Sequence, residues 1–291
     1  MSTSTRPGGT LTLAADLTIS RMGFGAMRLA GPHVFGPPKN RAEAIAVLRT
    51  AVDLGITHID TSDFYGPATV NEVIKEALHP YPADLRIVTK VGAVRGGDAS
   101  WRVALGRQDI VDAVHANLHH LAVEALDVVN LRVGAVDTTV EESLAEPFAV
   151  LAELQQQGLI RHLGVSAVTA SQLTQAQRIA PVVTVQNLYN LAHRQDDELV
   201  DRCAAEGIAF APYFPLGGFT PLESGVLDQI AAGIGATPQQ TALAWLLQRS
   251  PSIVLIPGTS SVAHLRDNVA AAELVLPAQA VAALDAIAGR G

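Results

Sequence analysis

Cysteine is almost absent from this chain. Cys203 is the only one among 291 residues, which excludes an internal disulfide and a zinc site built from thiolates. Long apolar runs are missing too: stretches such as 253–256 have the length of a strand, far below the roughly 20 residues that cross a bilayer, so no membrane-spanning segment is expected. Residues 1–9 are polar and lack the apolar core of a secretion signal, and with the lone cysteine they point to a reducing cytoplasm. Positive charge is in deficit, with 20 basic against 28 acidic residues and a net charge of -8. Such a surface has no general attraction for nucleic acid or anionic membranes, so an anionic ligand has to be held locally. No Pro/Gly/Ser linker and no low-complexity tract divides the chain, and one domain over residues 1–291 is expected.

What the chain does have is a rhythm. Hydrophobic residues make up 48% of it, enough for a sizeable core. After a hairpin-like stretch (10–13, then 17–20), short apolar runs alternate with amphipathic segments. Strands are predicted near 21–25, 56–60, 87–90, 128–132, 162–165, 182–186, 208–212 and 253–257. Helices are predicted near 41–54, 70–78, 108–121, 141–157, 170–179, 196–206, 238–248 and 262–272. Gly55, Gly158 and Gly207 stand just past helices, where a left-handed cap is needed. About eight alternating βα units make a (β/α)8 barrel of the TIM type with an N-terminal β-hairpin. The longest loops, 29–40 and 214–223, both follow predicted strands and so fall at the barrel face where active sites sit.

Three residues at that face carry chemistry. In His58-Ile59-Asp60-Thr61-Ser62-Asp63-Phe64-Tyr65-Gly66 a strand runs into a loop, and Lys90 ends the next strand. Strand alternation can aim its ammonium inward. A cation beside a phenol favours phenolate and lowers the tyrosine pKa from about 10 toward neutrality. Asp60 would hold Lys90 charged, making a relay to Tyr65. Taken singly, each residue also admits a structural role: a turn cap, a packed loop tyrosine, a solvated strand end. Their position on neighbouring strand ends of a barrel favours catalysis. His115 and His119 lie four apart on a predicted helix, but with no acidic third ligand nearby no metal is expected.

With these motifs the chain resembles the aldo-keto reductases over nearly its whole length. The Asp60–Gly66 motif, the Lys90 strand, Gly158-Leu159-Ile160-Arg161-His162-Leu163-Gly164-Val165-Ser166 and Tyr213-Phe214-Pro215-Leu216-Gly217 occur in family order. The resemblance implies NADPH bound without a Rossmann domain, and no G-x-G-x-x-G follows a first strand. It implies Asp60, Tyr65 and Lys90 as catalytic residues, while the family histidine is replaced by Arg132. Arginine is too basic to act as a general base but can donate to a carbonyl oxygen, so polarisation of the substrate is one reading and a buried ion pair the other. By the same matching Tyr213 stacks on the nicotinamide, Ser166 and Gln186 hold its carboxamide, and Gly25, Ala26 and Met27 close the site from below. Phe214, Pro215, Leu216 and Gly217 line the same cofactor path. The family asparagine after Ser166 is Ala167 here. Gly258, Thr259, Ser260 and Ser261 resemble the adenosine-phosphate clamp at a helix start, with His264 and Arg266 close by and Asn268 meeting the adenine.

The strings 30–38, 129–132 and 215–221 narrow the resemblance to the bacterial pyridoxal reductase branch. This implies reduction of pyridoxal, a small-molecule carbonyl substrate, to pyridoxine. On that reading Phe35, Phe64 and Phe214 sandwich a flat ring and Arg132 meets its phenolate oxygen, although the aromatics could equally be loop packing. The alternatives are an aldo-keto reductase with another aldehyde or ketone substrate, a slow-turnover NADPH-binding redox sensor, motivated by the missing histidine, and a Schiff-base aldolase using Lys90.

Overall fold

The computed structural model describes residues 6–134, 142–218 and 224–287. The strands in chain order are β1 (Thr10–Ala14), β2 (Leu17–Ser20), β3 (Phe24–Gly25), β4 (His58–Asp60), β5 (Arg86–Val91), β6 (Ala93–Arg95), β7 (Trp101–Val103), β8 (Leu126–Arg132), β9 (Ile160–Ser166), β10 (Val182–Gln186) and β11 (Ala209–Phe210). The helices are α1 (Arg41–Asp53), α2 (Thr69–Leu78), α3 (Arg107–Leu121), α4 (Ala145–Gln156), α5 (Ala170–Gln177), α6 (Asp197–Glu206), α7 (Gly225–Gly233), α8 (Pro238–Arg249), α9 (Val262–Ala270) and α10 (Ala278–Asp285).

Seven parallel strands form one sheet in the order β11-β10-β9-β8-β5-β4-β3. Residues 253–255 close it into a barrel: parallel bridges join Phe210 to Ile253 and Met22 to Leu255. The amide of Val254 donates to Phe210 O at 2.9 Å, and that of Leu255 to Arg21 O at 2.7 Å. The eighth strand is thus present as a run of bridges. The expected (β/α)8 barrel is what the chain forms, and β1 and β2 pair antiparallel as the expected hairpin.

Parity along the strands decides what fills the interior. Leu17 and Ile19 of β2 pack with Val88, Val128, Val183, Ala209, Ala211 and Val254 in one small apolar cluster, so the hairpin stoppers the amino-terminal end. The outward positions of the strands join a separate, larger core shared with the helices. At the carboxyl ends the register sets Gly25 opposite Asp60, Lys90 opposite Asn130, Arg132 opposite Ser166 and Ser166 opposite Gln186. One row of inward side chains there is polar and belongs to neighbouring strands.

Several elements differ from expectation. α4 begins at Ala145 because Pro147 is tolerated only in a first helical turn; the expected start at Glu141 lies outside the described residues. α7 and α10 were not expected. The first has glycine at both ends, which masks its periodicity, and is started by Ser224, whose hydroxyl accepts from the amide of Leu227. The antiparallel β6–β7 pair was also not expected, although two short alternating runs around Gly96 and Gly97 are a hairpin signal. Gly55, Gly158 and Gly207 do take positive φ at helix ends.

Candidate active site

Asp60 ends β4 and Lys90 lies one residue before the end of β5, both facing inward at the carboxyl mouth. The Lys90 ammonium lies 2.6 Å from Asp60 Oδ1 and donates to Thr61 O at 2.9 Å. It also sits 5.1 Å from the centre of the Tyr65 ring. Both charged side chains are at least 96% buried, where an unpaired charge would be prohibitive, so the pair exists as a unit. Tyr65 follows within the turn after β4, its amide bonded to Ser62 O.

That turn is held from behind by a buried amide and hydroxyl network. Thr61 donates to Asn71 Oδ1 at 2.8 Å, and Asn71 donates to Asp63 Oδ1 at 3.1 Å and to Asn117 Oδ1 at 3.0 Å. The Asp63 carboxylate also meets His120 Nδ1 at 2.7 Å. Helices α2 and α3 thereby fix where the phenol points.

The electrostatics correct one expectation. Burial pushes the Tyr65 phenol up; Lys90 opposes this and Asp60 reinforces it, and the net shift is upward rather than toward phenolate. Burial works against the Lys90 charge, but Asp60 and Tyr65 outweigh it and hold the ammonium above its ordinary range. At neutral pH the site therefore contains a neutral phenol beside a full ammonium, which is the proton-donating form.

A cleft opens over this pair. Gly25, Met27, Phe64, Arg132, Gln186, Tyr213, Phe214, Pro215, Leu216 and Gly258 line it together with Asp60, Tyr65 and Lys90. Gly25 is required by close approach: a Cβ there would lie 2.4 Å from Ile256 O. The Arg132 guanidinium lies 5.7 Å from the Tyr213 ring centre. Among the described residues Arg132 has no acidic partner within ion-pair distance, so the buried-ion-pair alternative finds no support there. Ser166 Oγ and Gln186 Oε1 are buried with no hydrogen-bond partner, while Gln186 Nε2 is engaged by Asp60 Oδ2 at 2.7 Å. The orphaned oxygen of Gln186, a lining residue like Tyr213, suits a flat group carrying a carboxamide; Ser166, opposite Gln186 in the sheet, is not itself in the lining.

Other expected residues fall elsewhere. Phe35 is not in the lining: its ring lies against the Arg95 guanidinium, 5.4 Å away. Trp101, unforeseen, takes its place in the wall, edge-on to Phe64 at 5.5 Å. Gly218, within the expected loop 215–221, lines the cleft, as do Arg28, Ile256 and Pro257, which were not expected to. Ala26 is fully buried beneath it, and Gly217 lies in the turn just beyond Leu216, its amide bonded to Phe214 O. Residues 219–221 of the expected substrate loop lie outside the described residues. Gly258, Thr259, Ser260 and Ser261 form the turn that enters α9. There Ser261 N donates to Thr259 Oγ1 at 3.1 Å and Val262 N to Glu43 Oε1 at 3.2 Å. An acid from α1 thus takes the first helical amide of the expected phosphate clamp. His264 and Arg266 are exposed on α9 and Asn268 is buried in it. His115 and His119 are exposed on α3, away from the mouth.

A sequence profile described as the Aldo/keto reductase family matches residues 21–288. A pyridoxine 4-dehydrogenase of Escherichia coli (strain K12) is 57% identical over 280 residues, covering 96% of this chain and 98% of that protein. Among solved structures, a thermostable aldo-keto reductase in complex with the inhibitor epalrestat superposes with a TM-score of 0.79 at 30% identity, covering 94% of this chain and 97% of that one. An aldo/keto reductase from Klebsiella pneumoniae in complex with NADP and acetate gives a TM-score of 0.77 at 26% identity, covering 95% and 94%.

Proposed function

The chain belongs to the aldo/keto reductase family, and on that premise we propose that it is an NADPH-dependent aldehyde reductase whose substrate is pyridoxal, reduced to pyridoxine. The observation that carries the reading is the buried Asp60–Lys90 pair, 2.6 Å apart, set beneath the neutral Tyr65 phenol at the mouth of the barrel. The likeness to a pyridoxine 4-dehydrogenase over nearly the full length of both chains supports the substrate.

In this reading Ser166 and Gln186 hold the nicotinamide carboxamide with their free polar atoms, and Tyr213 supplies an apolar face for the ring. Gly25, Met27 and Phe214 to Gly217 would line its way toward the turn at Gly258 to Ser261. There the hydroxyls and the nearby His264 and Arg266 would receive the phosphates once Glu43 releases the Val262 amide, and Asn268 would meet the adenine. The bound cofactor supplies a hydride to the aldehyde carbon. Tyr65 donates its proton to the carbonyl oxygen, and the phenolate left behind is stabilised by the Lys90 ammonium. Asp60 keeps that ammonium charged and in place. Arg132, unpaired with acid among the described residues, donates to oxygen on the substrate ring.

A raised lysine pKa leaves no free amine to attack a carbonyl, which disfavours a Schiff-base aldolase. We place the enzyme in the cytoplasm as a single catalytic domain; its lone cysteine, Cys203, is buried. The test is steady-state oxidation of NADPH by a panel of aldehydes. Pyridoxal should rank highest in kcat/KM with equimolar pyridoxine formed, and a rate with pyridoxal no greater than with simple aliphatic aldehydes would sink the substrate assignment.

A further inference from the structure

Arg95 lies at the end of β6, outside the cleft lining, yet it touches Trp101, which is in that lining, and the 31–36 turn behind it. Its guanidinium lies 4.0 Å from the Trp101 ring centre on one side and 5.4 Å from that of Phe35 on the other. The same group donates to three carbonyls: Val34 O at 2.8 Å, His33 O at 3.0 Å and Ala99 O at 2.7 Å. Val34 O is shared, because it also accepts from the amide of Gly66 at 3.1 Å, the residue after Tyr65. A Cβ at Gly66 would lie 2.7 Å from Gly36 O, so the turn after Tyr65 and the 31–36 turn are pressed together. His33 and Val34 both have φ of 58°, a left-handed conformation costly for a β-branched residue and kept only where surroundings impose it.

These contacts form a chain. Tyr65 meets Phe64 edge-on at 5.4 Å, Phe64 meets Trp101 at 5.5 Å, and Trp101 lies on Arg95, which holds the strained turn. Much of this hairpin is open to solvent, with Trp101 41% and Val103 70% exposed. A planar fork can stack on two rings and bond three carbonyls at once.

We propose that Arg95 is a positioning residue, a clasp that ties the 31–36 turn to the β6–β7 hairpin and so holds Trp101 as the wall against which flat ring aldehydes are bound. The specificity half of this rests on the aldehyde reductase reading above. Removing the guanidinium frees Trp101 to move and lets the 31–36 turn relax, which weakens binding of a flat ring without altering proton donation by Tyr65.

The experiment compares wild type, Arg95→Met and Trp101→Ala, using pyridoxal and propanal as substrates at saturating NADPH, with amide hydrogen exchange as a second readout. Arg95→Met should raise KM for pyridoxal about tenfold, leave its kcat within about twofold and leave propanal unchanged. Trp101→Ala should raise KM for pyridoxal at least as much, and adding Arg95→Met to it should raise that KM little further, as expected for groups acting as a unit. In Arg95→Met, exchange should quicken in residues 31–36 and 93–103 together. Equal losses with both aldehydes, an unchanged KM, or faster exchange in the hairpin alone would overturn the proposal. A wild type that reduces neither aldehyde would instead defeat the reductase reading, and the exchange result would still decide whether the clasp exists.

Discussion

Gln186 donates its side-chain amide to Asp60 Oδ2 at 2.7 Å, on the carboxylate oxygen that Lys90 leaves free. One acid thus aligns both the ammonium beside the phenol and the amide of a residue that lines the cleft. On the proposed assignment, proton donation and cofactor placement share a single anchor.

Gln186→Leu should therefore affect both. It leaves a buried carboxylate oxygen without its donor, costing about 1–3 kcal/mol of stability, and removes the acceptor offered to the carboxamide. Urea denaturation and a fluorescence titration with NADPH should show a lowered midpoint and a weakened Kd together. Loss of stability with unchanged cofactor affinity would contradict the shared anchor.

Tyr65→Phe should lower kcat by at least about 100-fold with little change in NADPH affinity, since only the proton donor is lost. The wild-type pH profile carries a further sign. The Tyr65 pKa is raised, first by burial and against the pull of Lys90, so the donating form persists through neutrality. Reductive kcat/KM should stay level until the pH passes the ordinary tyrosine value of about 10, and an alkaline fall beginning near neutrality would rule this out.

Breaking the buried pair from one side should be worse than removing both charges. Lys90→Met leaves Asp60 buried and unpaired, for a loss of about 3–5 kcal/mol. Asp60→Asn with Lys90→Met should cost less than the two single changes added together. Denaturation midpoints of the four proteins check this, and simple additivity would show that the pair is not coupled.

His58 lies on the same face of β4 as Asp60, two residues earlier, and its ring nitrogen Nδ1 is buried with no partner. Burial holds its pKa at about 4, down from 6.5, with Lys90 also disfavouring the charge and Asp60 opposing. The folded state thus binds the proton less readily than the unfolded chain. The stability this provides is complete above about pH 6.5, is lost as pH falls toward about 4, and amounts to about 3 kcal/mol. His58→Gln should flatten that acid limb in denaturation measured across this window; an unchanged slope would show that His58 does not set it.

Much of the site was legible because it sits on strand ends. Asp60, Lys90, Ser166 and Gln186 each occupy an inward position at the end of an apolar alternating run, and that parity survives errors of a residue or two in the boundaries. The direction of the Tyr65 shift was not legible, since spacing reveals a neighbouring cation but not how much water is excluded. Trp101 and Arg95 were missed for a different reason. The Gly96–Gly97 turn marks a hairpin, but nothing local says that the hairpin folds over the mouth. Phe35 illustrates the converse: an aromatic in the right loop, drawn aside by the guanidinium of Arg95, far along the chain. The eighth strand was expected from its apolar run, yet it joins its neighbours mainly through the bridges at Ile253 and Leu255.

The stopper made by Leu17 and Ile19 has a kinetic corollary. With the far end plugged, the proposed alcohol and spent dinucleotide depart by the mouth through which the reactants came. Whichever of them lies nearer the opening must leave first, so the order of departure is dictated by architecture, before any difference in affinity is considered.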